Sequence, residues 1–265
     1  MMQFAEGKML AEIDTGVGLV TFNQPAKRNA ISVDMWDGLD QILARFEADD
    51  EVRVVVLTGA GPHAFVSGAD ISQFAERRGD ADAQREYDRH TSAGRDRLAR
   101  FPKPVIARIR GFCLGGGLGI ALQADLRIAG EDSTFGIPAA RLGIAYGFDM
   151  TRQLVNVVGP AHARMLLYTG SRITGAEAAR IGLVNQVVPD EDLNDRVVDL
   201  ARTLADNAPL SLRAAKITVG ACLDDPESRD HDAIQHATAA CFDSDDYREG
   251  RTAFMEKRTP RFTGR

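Results

Sequence analysis

Cysteine is scarce in this 265-residue chain: Cys113, Cys222 and Cys241 are an odd number and form no C-x-x-C pair. A disulfide framework is therefore not expected, and reduced thiols fit a cytosolic compartment. The five histidines include no H-E-x-x-H pattern, and His231 and His236 stand five apart, off one helix face. No metal site is expected. Long apolar runs are missing too. No window approaches the roughly 18 apolar residues of a membrane span. The opening stretch MMQFAEGKMLAEIDTG is interrupted by Glu6 and Glu12 and has no signal-like apolar run. The expectation is a soluble cytoplasmic protein without a membrane partner. Positive charge is not in excess either: 32 Lys and Arg against 38 Asp and Glu give a net charge of −6, which argues against nucleic acid as a partner.

Several nucleotide and hydrolase motifs are also missing. There is no G-K-[ST] and no G-x-S-x-G, since Phe65 stands two places before Ser67. A dinucleotide fingerprint started at Gly115 needs glycine where Ile120 stands. Started at Gly117, it needs glycine where Leu122 stands.

What is present reads as α/β. GLVTFN (18–23) alternates and predicts a strand, followed by the loop QPAKRNAIS (24–32) with its basic pair Lys27–Arg28. Ser32 stands at the N-cap position of a helix whose Met35, Leu39, Ile42, Leu43 and Phe46 have helical spacing. VRVVVLTGAG (52–61), PVIARIRG (104–111) and LRIAG (126–130) read as strands of a mainly parallel sheet, the first two as runs buried on both faces. STFGIPA (133–139) reads as a short fourth segment. Residues 72–100 are densely charged, either a solvated helix or a lid beside a site. From about residue 160 the pattern turns helical, as in a packing or assembly module.

Two buried strands run into glycine-bearing turns: HAFVSGADI (63–71) and GFCLGGGLGIAL (111–122). Such turns can aim backbone N–H groups at one oxygen on which charge develops. The same glycines also suit close strand–helix packing, and spacing alone leaves both readings open.

GADI (68–71) and GFCLGGGLGIALQADLRIA (111–129) resemble the two signature regions of the crotonase superfamily, the enoyl-CoA hydratase/isomerase family. GLVTFNQPAKRNAIS (18–32), FGIPAARLGI (135–144), GLVNQVVP (182–189) and YREGRTAFMEKRTPRF (247–262) extend the resemblance over roughly residues 10–262. It implies a crotonase-like spiral of ββα units over residues 1–200 and a C-terminal helical assembly domain over 201–265, in a homotrimer or a hexamer made as a dimer of trimers. It implies an acyl-CoA thioester as substrate, with coenzyme A part of that substrate and no tightly bound cofactor. The resemblance makes the N–H groups of Ala69 and Gly116 the pair that stabilises a thioester enolate. It gives coenzyme contacts to Arg28, Ala30, Ser67, Gly68, Ala69, Asp70, Ile71, Gly115 and Lys257. His63 stands where the family often has a basic residue.

Hydratases of this family carry two glutamates, at positions held here by Gly119 and by Ala139 after Pro138. Neither residue can move a proton, and general acid–base catalysis commonly supplies ~10²–10⁴-fold. Decarboxylation of a malonyl-type thioester, or isomerisation, is therefore the first expectation. Tyr146, in RLGIAYG, resembles a tyrosine of the methylmalonyl-CoA decarboxylase branch and is the third catalytic candidate. That branch is similar to GHD where this chain has Gly68–Ala69–Asp70. Pro138, Ala139, Arg141 and Asp149 are candidates for binding the acyl part. A true hydratase with Asp149 or Tyr146 as its acid is the first alternative, and a non-catalytic acyl-CoA-binding or scaffold protein the second.

Overall fold

The structure, a computed structural model, describes residues 1–70 and 80–265. Ile71 and the start of the charged 72–100 segment lie outside the described residues. The rest of that segment contains a helix, α2 (Ala81–Ala99), capped by the Asp80 carboxylate, which accepts the N–H groups of Asp82 and Ala83.

β4 (Val54–Gly59) explains the architecture. Its Val55 and Leu57 join one apolar core, while Val54 and Val56 join another. A strand with a core on each face must be apolar at successive positions. β6 (Val105–Ile109) divides the same way, Val105, Ala107 and Ile109 on one side and Ile106 on the other. The larger core is filled from α1 (Val33–Ala48) by Met35, Leu39, Ile42, Leu43 and Phe46. The smaller is closed by α6 (Leu193–Asp206), whose Leu193, Val197 and Ala201 recur every fourth residue and form one stripe.

β3 (Val17–Phe22), β4, β6, β8 (Leu126–Gly130) and β11 (Gln186–Val188) are parallel neighbours in a seven-stranded sheet. β1 (Met2–Phe4) and β2 (Met9–Asp14) extend it antiparallel beyond β3. A second sheet has the order β10 (Arg172–Thr174), β9 (Thr134–Gly136), β7 (Phe112–Leu114), β5 (Ala64–Val66). β4 with β5, β6 with β7 and β8 with β9 thus each send one strand to each sheet before a helical segment, which is the spiral of ββα units.

The short α5 (Gly175–Arg180) precedes α6, and α7 (Pro209–Leu223), α8 (His231–Phe242) and α9 (Asp245–Glu256) follow it. Among the described residues no helix is long and apolar enough to cross a membrane.

Candidate active site

The three parallel strands β5, β7 and β9 end side by side, and ligands of parallel sheets gather outside such carboxyl ends. β5 runs into Ser67–Asp70, β7 into Gly115 and β9 into Pro138. Gly68 at φ 120° and Gly115 at φ 51° adopt backbone that side chains rarely allow. The Gly68 carbonyl accepts the Ile31 N–H at 2.8 Å, and the Asp70 N–H donates to the Ile31 carbonyl at 2.9 Å. In such a parallel bridge the residue between, Ala69, turns its own N–H away from Ile31.

Gly116 opens α3 (Gly116–Gln123), so its N–H has no acceptor within the helix. A Cβ built on Gly116 would stand 3.7 Å from the Ala69 nitrogen. Among the described residues neither N–H donates to a backbone carbonyl. Two unspent donors at the positive end of a helix suit an oxygen that gains negative charge.

A family model described as Enoyl-CoA hydratase/isomerase matches residues 12–265. The chain belongs to this family, within the crotonase superfamily. It is 36% identical over 250 residues to the short-chain-enoyl-CoA hydratase of Clostridium acetobutylicum, covering 94% of this chain and 95% of that one. It is 34% identical to the crotonyl-CoA hydratase of Syntrophomonas wolfei, covering 96% and 97%. The crystal structure of an enoyl-CoA hydratase/carnithine racemase from Magnetospirillum magneticum superposes with a TM-score of 0.93 at 35% identity, covering 97% of this chain and 96% of that one.

Gly119 and Ala139, the two positions that the resemblance assigns to glutamates, carry no acid. A Cβ on Gly119 would meet the Met150 sulfur at 2.7 Å and the Tyr146 hydroxyl at 3.2 Å. Ala139 is buried in the short helical turn Pro138–Arg141. Pro138 approaches the other side, its Cδ 3.9 Å from a Cβ placed on Gly115. Tyr146 donates its hydroxyl to the Gly115 carbonyl at 3.2 Å, tying it to the turn that carries the donor. Burial, helped by the neighbouring buried Cys113, pushes the phenol well above its ordinary range, so it stays protonated.

Arg141 and Asp149 are not brought to this cradle by the contacts they make. Arg141 donates to the Thr169 carbonyl at 3.2 Å and to the Ser171 hydroxyl at 3.4 Å, at the C-terminal end of α4 (Phe148–Thr169). A cation there satisfies carbonyls that the helix leaves over. Asp149 is exposed in the first turn of α4, where the helix dipole favours a carboxylate.

Of the coenzyme candidates, Arg28, Ala30, Ser67 and Asp70 come together beside β5. The Arg28 carbonyl accepts the Ser67 N–H at 3.2 Å, and Ala30 closes the loop by donating to the Lys27 carbonyl at 3.1 Å. Asn29 pins this loop from inside. It is fully buried, donates to the Ala60 and Ala64 carbonyls at 3.0 and 2.7 Å and accepts the Gln24 N–H at 2.9 Å. Lys27 pairs with the buried Asp70 at 2.7 Å. The guanidinium groups of Arg28 and Arg172 each lie 5.1 Å from the Phe112 ring. His63 is exposed next to them, and its carbonyl accepts the Phe112 N–H at 3.0 Å. Lys257 is exposed at the end of α9.

Asn29, Phe112, Met150 and Arg172 escaped the sequence reading. Asn29 carried one signal, its place in a basic loop before α1; Ser32, expected to cap that helix, makes no side-chain cap bond and donates instead to the Asp34 carboxylate. The other three act only through neighbours distant in the chain.

Proposed function

We propose that the protein binds an acyl-CoA thioester and receives its carbonyl oxygen between the N–H groups of Ala69 and Gly116. The observation that carries this reading is the 3.7 Å approach of the Gly116 side-chain position to the Ala69 nitrogen. Coenzyme A enters as part of the substrate, along the loop of Arg28 and Ser67. The donors stabilise an enolate, and no tightly bound cofactor is called upon.

The residues alone favour decarboxylation, but the named relatives favour hydration of a short enoyl thioester, and that is the first reading. Water addition places hydroxyl on the β-carbon and a proton on the α-carbon, so one group must give that proton and recover it from the attacking water. The protonated Tyr146 hydroxyl is the group held at the cradle; Asp149, the other candidate from the sequence, is exposed in the first turn of α4 and would have to turn inward to serve. The second reading rests on the filling of the Gly119 space by Met150 and Tyr146. It is loss of carbon dioxide from a malonyl-type thioester, or isomerisation. Decarboxylation leaves its electron pair on the α-carbon and needs no base, only donors for the enolate and a proton afterwards.

Crotonyl-CoA absorbance followed with purified protein separates the two. Rapid loss supports hydration. A stable signal, with carbon dioxide released from a malonyl-type thioester, supports the second reading. Oligomerisation belongs to the same proposal: α7 and α8 bury no residue within the chain, which leaves their apolar side chains for other subunits of a trimer or hexamer.

A further inference from the structure

We propose that Met150 decides which acyl groups the site accepts, favouring short chains unbranched at the α-carbon. The inference rests on the acyl-CoA reading above and names the wall that bounds its acyl end.

Gly116 and Gly119 are three residues apart on α3, so their side-chain directions share one helix face, with Cβ positions about 5–6 Å apart. The Gly116 direction meets the Ala69 N–H. The Gly119 direction meets the Met150 sulfur at 2.7 Å, the Tyr146 hydroxyl at 3.2 Å and the Met150 Cγ at 3.4 Å. The space one helical turn from the two donors is thus closed by a thioether and a phenol. Tyr146 is held by the Gly115 carbonyl. The Met150 Cε lies 3.5 Å from the point a Gly147 Cβ would occupy, so the side chain runs between Gly147 and Gly119. A methionine at such a place is a flexible apolar stopper, able to shift by a rotamer and unable to give a proton.

The direction of the acyl group follows from the coenzyme. The Arg28 loop is bonded to Ser67, on the Ala69 side of the donors. A thioester with its coenzyme on that side and its oxygen between the donors sends its acyl carbons the other way, along α3 toward Gly119. Of the two side chains that close the Gly119 space, Tyr146 is tied to the Gly115 carbonyl, which leaves Met150 as the one able to yield or resist.

The test uses saturated thioesters, so it needs no turnover. Calorimetric titration with acetyl-CoA and isobutyryl-CoA is compared for the native protein, Met150→Ala, Met150→Leu and Met150→Phe. A methyl-sized change in an apolar pocket is worth about 10–200-fold. Met150→Ala is expected to raise the isobutyryl-to-acetyl affinity ratio about tenfold. Met150→Leu, of similar volume, keeps the native ratio. Met150→Phe lowers it, and carries the test if the alanine variant fails to fold. A ratio unmoved by both size changes, with native acetyl-CoA binding intact, overturns the inference alone. Failure of the native protein to bind either thioester overturns the acyl-CoA reading and this inference with it.

Discussion

A Cβ at Gly116 would sit beside the Ala69 nitrogen in ordinary van der Waals contact, at 3.7 Å, in the space a carbonyl oxygen must enter. A Cβ on the next residue, Gly117, would stand 2.0 Å from the Val66 carbonyl oxygen. These neighbours therefore predict opposite phenotypes. Gly116→Val keeps the N–H but fills the space in front of it, so kcat should fall at least as far as the about 10²–10³ that deleting one such donor costs, with thermal melting little changed. Gly117→Ala should lower the melting temperature, because helix and strand must part, at a cost of about 1–3 kcal/mol. Equal melting of the two variants would dissolve the distinction. Tyr146→Phe belongs at this scale too. The raised phenol favours folding fully below the ordinary tyrosine range, and that contribution is lost as pH climbs toward the raised value. Ultraviolet titration of tyrosinate should show a late phase missing from Tyr146→Phe, and the native kcat should show no Tyr146 deprotonation limb below about pH 10. The glycines were legible because the absence of a side chain is itself a statement about space. Met150 was not, because nothing near it in sequence announces that its partner is Gly119.

At the scale of elements, the site depends on three short strands ending together and on a loop held by one buried side chain. Asn29 is in the left-handed region at φ 55°, which asparagine tolerates better than most residues. Asn29→Ala removes three hydrogen bonds and leaves buried backbone groups unpaired, at about 1–3 kcal/mol each. The expected result is a raised KM for acyl-CoA with a smaller change in kcat, and faster hydrogen exchange at Ser67. An unchanged KM would remove the loop from the coenzyme site. β4 and β6 were legible because apolar residues follow one another on both faces, Val54–Leu57 in one and Val105–Ala107 in the other. β5 and β7 were not, since three residues carry no period and gain their identity only by pairing with each other. The helical reading from Gly159–Pro160 found a real discontinuity: Gly159 has φ 73° inside α4. The part before it, from Phe148, was hidden because that glycine reads as a beginning rather than an interruption.

For the whole molecule, the C-terminal helices show what one chain leaves unfinished. Val219, Leu223, Phe242, Phe254 and Met255 are 55–83% exposed on α7, α8 and α9, and the proposed assembly would cover them. The tail beyond α9 is fastened back onto that helix. Glu249 takes both ends of the Arg258 guanidinium at 2.6 and 2.8 Å and the Arg261 N–H at 2.8 Å. These bonds lower the Glu249 carboxyl from 4.5 to about 2. Its contribution is therefore present above pH 4.5 and is lost as pH falls toward about 2. The pair is solvent-exposed, so salt weakens it. If the tail and the exposed face form one assembly surface, two perturbations should converge. Leu223→Asp with Phe254→Asp should convert the assembly to smaller species in light scattering at neutral pH, with the circular dichroism of the core retained. Glu249→Gln should bring acid dissociation to a higher pH than in the native protein. A native protein that scatters as a monomer would refute the assembly reading. An assembly that survives both aspartates would move the contact face away from α7 and α9.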